Sequence, residues 1–286
     1  MTQPKPIIQD FETLFDAESG EQAAQDFIER NTELFYPPHE LNHGVHLDLL
    51  ISKFRIDTSL VTDFAYLTKS SGVWWLVFVE LEDPAKQLFT KNAVPTAELT
   101  AAIQQVNTWR TFVKKNAAEV FRRIAPLKKP LQWNKLLFRY ALVIGRTGEF
   151  RADQKKVDAF EELGRDDFRV LTYDSLISAY KNKPNPRLNV IVQTREKFAF
   201  KYRHSEDTDL FTWLSPNDFE LTADEGAHYK AHGYDIDAWS RGKQLVVDRK
   251  QTDDKFMASV DTAFAAAQAL SNKDFGAQSP PPSKPT

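Results

Sequence analysis

Three acidic side chains in this chain are spaced so that extended backbone would gather them. Glu80 and Glu82 are separated by one residue, so in a β-strand both side chains project from one face while Leu81 points to the other. Asp63 lies seventeen residues upstream of Glu80, at the head of a second β-rich run, Phe64-Ala65-Tyr66-Leu67-Thr68. Carboxylates held that close repel unless a proton or cation sits between them. A hard divalent metal with oxygen ligands is the natural occupant. A Glu-x-Glu pair also stands on many solvated strand edges, so the case rests on Asp63 joining it.

The elements that would position these acids can be read from patterning. The seven-residue apolar run ending at Val79 is too short to span a membrane and rich in β-formers, which predicts a strand buried on both faces. Lys69-Ser70-Ser71-Gly72 supplies a turn, so the two runs pair as a hairpin that sets Asp63 beside Glu80. A long helix is expected from Thr96, its N-cap, to Ile124, with Leu99, Ile103, Val106, Val113, Val120 and Ile124 buried. Gln105 and Trp109 stand one turn apart on it, presenting an amide and an indole to whatever the helix covers.

Elsewhere the pattern predicts a helix over 21–35, one long or bent strand over 45–60, a strand at Tyr140–Ile144 ending in Gly145-Arg146, a helix near 152–163, a strand at 168–171 and a helix from Tyr173. The resulting order of helix, three strands, helix, strand, helix, strand, helix indicates an α/β fold with a central mixed sheet flanked by helices. Glu29 and Glu33 are expected in solvent, and His39, His43 and His46 read as surface-loop histidines. Residues 1–20 form a lead-in with a short helical turn near Phe11, and 21–181 form the main domain. After Lys183-Pro184-Asn185-Pro186 an α+β extension of open role covers 182–270, with strands at 188–193, 197–202 and 245–247 and a helix at 255–270. The tail 271–286, with Pro280-Pro281-Pro282, is expected to be disordered.

Composition narrows the classes. At 286 residues and 42% hydrophobic content the chain can bury a full core, and no apolar run approaches a spanning helix. The first ten residues lack a signal-peptide pattern, so a cytoplasmic location is expected. With no Cys, a metal must be held by oxygen or imidazole. Between Arg110 and Lys156 stand thirteen Lys or Arg against three acids, a local balance of +10 in a chain whose net charge is −3. Such a segment suits a phosphate-bearing partner, although a solvated helix face has the same composition.

With an acid on one hairpin strand, Glu-x-Glu on the next and Gln on the following helix, the layout resembles the PD-(D/E)XK nuclease superfamily, whose core is restriction-endonuclease-like. More closely, Asn31-Thr32-Glu33-Leu34, Val79-Glu80-Leu81-Glu82-Asp83-Pro84, Leu88-Phe89-Thr90-Lys91, Gln105 to Trp109, Ile144-Gly145-Arg146 and Thr172-Tyr173-Asp174 resemble the Shedu family of bacterial antiphage nucleases. That resemblance implies metal-dependent cleavage of DNA in defence against phage by a homo-oligomer. It assigns Asp63 and Glu80, with the Leu81 carbonyl, to Mg²⁺ or Mn²⁺, and Gln105 to the glutamine that many members carry. Glu82 stands where lysine is usual, so the general base is either Glu82 or a displaced Lys86 or Lys91. Lys86, Lys91, Arg110, Lys114 and Arg146 are the expected DNA-backbone contacts. A non-catalytic nucleic-acid-binding module on the same fold, or a structural protein, are the competing readings.

Overall fold

A computed structural model describes residues 6–16, 20–195 and 197–246, together with 252, 262, 264–267 and 269. In chain order, helices α1 (Pro6–Asp16) and α2 (Gly20–Arg30) precede strands β1 (Leu49–Ser52), β2 (Phe64–Lys69) and β3 (Val73–Leu81). Helix α3 (Ala97–Ile124) leads to β4 (Lys135–Val143), α4 (Gln154–Glu161) to β5 (Phe168–Leu171), and α5 (Tyr173–Asn182) follows. Then come β6 (Asn189–Gln193), β7 (Phe198–Tyr202), α6 (Leu210–Trp213), β8 (Phe219–Glu220), α7 (Ala223–Ala231) and α8 (Ile236–Ser240).

The strands form one mixed sheet in the order β5-β4-β3-β2-β1-β6-β7-β8. β3 lies inside it, antiparallel to β2 and parallel to β4, which is why its sequence is apolar on both faces. Alternate residues feed two cores. Ala65, Leu67, Leu76, Phe78 and Leu142 pack with the α3 residues Leu99, Val106, Trp109 and Val113. Phe64, Tyr66, Val77, Val79 and Leu81 face Ala24 and Ile28 of α2 and Tyr173 and Leu176 of α5. The expected order of elements from α2 to α5 is therefore present, and Thr96 caps α3 by accepting from the Leu99 N–H at 3.2 Å.

Several expectations are corrected. The lead-in holds an eleven-residue helix, α1, which buries Ile8, Phe11 and Phe15. Tertiary contact sustains so short a helix: Phe11 and Phe15 meet at 4.7 Å, and Phe15 reaches Tyr173 at 5.3 Å. α2 ends at Arg30, with Thr32–Leu34 as a separate 3₁₀ turn. The long strand over 45–60 shrinks to β1, because Leu47, Asp48 and Lys53 take positive φ of 56°, 51° and 50°, which no strand can pass through. Leu245 and Val246 are buried but outside any strand. The expected strands at 188–193 and 197–202 are present as β6 and β7, and with β8 they extend the same sheet past the Pro-rich break, β6 pairing parallel with β1. Val247, most of the expected 255–270 helix and the expected disordered tail 271–286 lie outside the described residues.

The histidine expectation also fails for two of three. His39 and His46 are 5% and 7% exposed, packed edge-on against Trp75 and Trp74. Burial pushes His39 down to about 4, the Arg169 and Arg139 charges adding to it. Burial and the Lys69 charge push His46 down to about 3. Both rings fold neutral, while the unfolded chain takes up their protons below about pH 6.5, so their contribution is intact above that pH and lost toward pH 4. In urea unfolding, His46→Phe, which keeps a ring against Trp74, should therefore flatten the acid limb by about 2–3 kcal/mol at pH 4.5. An acid limb identical to that of the unsubstituted protein would contradict this.

Candidate metal centre

The β2–β3 hairpin pairs Phe64 with Val79, and the next step of that register sets Asp63 opposite Glu80. Cross-strand neighbours share a face, here the face of Ala65 and Phe78, which α3 covers. Asp63 accepts the Leu81 N–H on Oδ2 at 2.7 Å and Lys53 Nζ on Oδ1 at 2.5 Å. Glu80 accepts the side-chain amide of Gln105 from α3 on Oε1. Glu82 stands one residue beyond β3, where its N–H meets the Val143 carbonyl at 2.9 Å and its own carbonyl accepts the buried Tyr173 hydroxyl at 2.8 Å. Its carboxylate is paired with Lys86, one turn of loop further on.

Electrostatics mark the acids as a coupled set. Glu80 is 6% exposed, and among the described residues no donor reaches its buried Oε2. Burial pushes its carboxyl up to about 10, with Asp63, Glu21 and Glu82 adding their charges and Asp63 its hydrogen bond. Glu21, at the start of α2, is raised by burial and then by Asp63 and Glu82, so a fourth acid reaches the same end of the sheet. Burial lowers Lys86, but its hydrogen bond to Glu82 and the charges of Glu82, Glu21 and Glu98 outweigh that and raise it. With all four carboxylates ionised, the two lysines would leave two negative charges to be offset, which is why Glu80 keeps a proton in the absence of a cation. The donor set is carboxylate oxygen, and one buried oxygen lacks any donor, which fits a hard divalent cation. The acids do not close into a ready-made cage. Among the described residues, no three of their ligand oxygens come within 4.8 Å of one another, since Lys53 and Lys86 hold Asp63 and Glu82.

Sequence spacing thus brings Asp63, Glu80, Leu81, Glu82, Gln105 and Lys86 together. Of the remaining expected cations, Lys91 and Lys114 are exposed. Arg110 is gripped by Asp167 at 2.8 Å and lies over the Tyr140 ring, while Arg146 is gripped by Asp174 at 2.7 Å and lies over Phe15. Arg110, Lys114, Arg139 and Arg165 line an open groove between α3 and the part of β4 that β5 does not pair with. Glu29, expected in solvent, is fully buried: Ser52 Oγ donates to it at 2.5 Å and Lys201 Nζ lies at 2.6 Å. The signal for the missed residues was the four-residue spacing of Glu21, Gln25 and Glu29, a polar stripe along the helix that packs beneath the acids.

The loop carrying Lys86 is fastened at several points. The Glu149 carboxylate accepts the Leu88 and Phe89 N–H groups at 2.7 and 3.0 Å. Gly145, with φ of +60°, passes so close that a Cβ would stand 2.8 Å from the Lys86 carbonyl and 2.9 Å from Leu88. The short motifs therefore interlock: Thr172 caps α5, Tyr173 holds Glu82, and Asp174 holds Arg146.

Residues 18–177 match the family model described as Shedu protein SduA, C-terminal, which is more than half of the chain. No curated protein matches it.

In metal-free buffer, Glu80 carries a proton in the fold that it has lost in the unfolded chain above about pH 4.5. Its contribution is therefore complete below that pH and fades as pH rises through about 10. Glu80→Gln should remove up to about 1 kcal/mol per pH unit of that alkaline slope in denaturant unfolding with chelator present; parallel curves would speak against a protonated Glu80. Gly145→Ala should lower stability by about 1–3 kcal/mol through the forced φ and the displaced loop, and a neutral result would refute the close approach.

Proposed function

The chain belongs to the Shedu family, and on that premise we propose that it is a metal-dependent nuclease with a PD-(D/E)XK-type core that hydrolyses phosphodiester bonds of DNA in defence against phage. The observation that carries this reading is the buried Glu80 oxygen without a donor, at the point where Asp63, Glu21 and Glu82 converge. The sheet itself, with the acids at the end of a central hairpin and a glutamine reaching them from the next helix, is consistent with it.

Asp63 and Glu80 would hold Mg²⁺ or Mn²⁺, with the Leu81 carbonyl as a further oxygen. Bound there, the ion supplies Lewis acidity, lowering the pKa of a water and offsetting charge on the phosphoryl oxygens. Gln105 fixes the Glu80 carboxylate by taking its other oxygen, so that Oε2 stays turned into the site. Glu82 accepts the proton as the water oxygen bonds to phosphorus and the ester P–O bond breaks, the departing oxygen taking a proton from solvent water. Lys86, kept charged beside Glu82, is a poor base and a good partner for the anionic phosphate. The exposed Lys91 and Lys114, with the groove at Arg139 and Arg165, would hold the DNA backbone without reading sequence. Assembly into a homo-oligomer belongs to the same proposal by family likeness.

The competing reading, a DNA-binding module without chemistry, draws on the lysines that already satisfy Asp63 and Glu82. Incubation with plasmid and linear DNA in Mg²⁺ or Mn²⁺ separates the two. Cleavage should fall at least about 100-fold in Glu80→Gln and Asp63→Asn with DNA retention preserved. Intact DNA with retained binding by the unsubstituted protein would leave the module. Lys114→Glu should weaken retention and reduce its salt dependence.

A further inference from the structure

We propose that the C-terminal part of the chain carries a second metal site of different chemistry, a transition-metal site of the Zn²⁺ class formed by His228, His232 and Glu206. His228 lies on the last turns of α7 and His232 at its C-cap, four residues apart and so on one face, the spacing with which helices present two imidazoles to one ion. Their rings lie 4.2 Å apart, and Glu206 reaches them from the loop after β7. One ligand atom from each of the three falls within 4.8 Å of the others, which among the described residues no other set of three achieves.

Proton positions strengthen the case. His232 Nδ1 lies 2.9 Å from the His228 carbonyl, and a carbonyl only accepts, so Nδ1 carries the hydrogen. Nε2, the ring nitrogen left to ligate, faces Glu206 Oε2 at 3.0 Å. A proton or a metal ion between the two would satisfy both. An N–H given to a backbone carbonyl is also the usual way in which a metal-bound histidine is oriented. His228 Nε2 is shut off from solvent and has no hydrogen-bond partner among the described residues.

The donors decide the class of ion. Two imidazoles and one carboxylate suit Zn²⁺, Co²⁺ or Ni²⁺, whereas Mg²⁺ prefers oxygen, so the two centres of the molecule would take different metals. The ion would tie the loop at Glu206 to α7. Thr208 on that loop is already bonded to the Tyr234 hydroxyl at 3.0 Å, so the metal would close a segment that is half fastened.

The test uses the full chain, free of any affinity tag and stripped by chelator, titrated with Co²⁺ in excess Mg²⁺ and followed by its visible d–d absorption and by thermal unfolding. One Co²⁺ should bind per chain, raise the melting temperature and be displaced by Zn²⁺. Glu206→Gln, an exposed change that leaves the fold alone, and His232→Gln should each weaken binding by more than about tenfold, beyond what loss of an outer partner costs. Absence of stoichiometric binding, binding unaltered in both variants, or a His232 ring that stays doubly protonated at neutral pH and is unmoved by Zn²⁺ in NMR spectra would overturn the site. None of these outcomes bears on the acids at Asp63 and Glu80, so the two centres stand or fall separately.

Discussion

Repulsion between carboxylates at one end of a buried sheet is the constraint on which the rest of this structure turns. Glu21, Asp63, Glu80 and Glu82 come from three elements and share too little water to ionise together. Lys53 and Lys86 answer part of that charge, Gln105 takes one Glu80 oxygen, and a proton occupies what remains in the metal-free protein. A single apolar substitute for Glu80 would pack more easily. Acids gathered in so dry a place fit the proposed cation site.

The scaffold explains how such a cost is borne. β3 is clamped by hydrogen bonds to β2 and β4 and by apolar packing on both faces, so its end cannot splay to relieve the charges. The hairpin register fixes Asp63 against Glu80, and a slip of one residue would send the carboxylates to opposite faces. On the far side, Tyr173 pins the Glu82 backbone, and Gly145 lets the Lys86 loop lie against the end of β4. α1, through Phe11 and Phe15, backs Tyr173 from behind. The beginning of the chain thus contributes to the site without touching it.

Much of this was legible in the sequence because local pattern and global position agree. The apolar run before Glu80 admits only a doubly buried strand, the turn at Ser70 fixes the hairpin, and Thr96 announces α3, so the Asp63, Glu80 and Gln105 triangle follows. What escaped depends on partners distant in the chain. Glu29 looks like any helix-end acid until Lys201 and Ser52 arrive to satisfy it, and His46 looks like loop until Trp74 covers it. The partners of two arginines in the basic run escaped for the same reason: Asp167 and Asp174, which pair with Arg110 and Arg146, lie beyond it. The break at Pro184 and Pro186 reads as a boundary, yet β6 returns beside β1, a pairing that no local signal encodes.

The central claim is that the acids at the end of β3 are a cation site. A crystal of the full chain soaked in Mn²⁺, with data collected at the manganese absorption edge, addresses it without relying on turnover. The account requires an anomalous peak between the Asp63 and Glu80 carboxylates, coordinated by the Glu80 oxygen that otherwise has no donor. Density that leaves this position empty while Lys53 and Lys86 keep their places would contradict it.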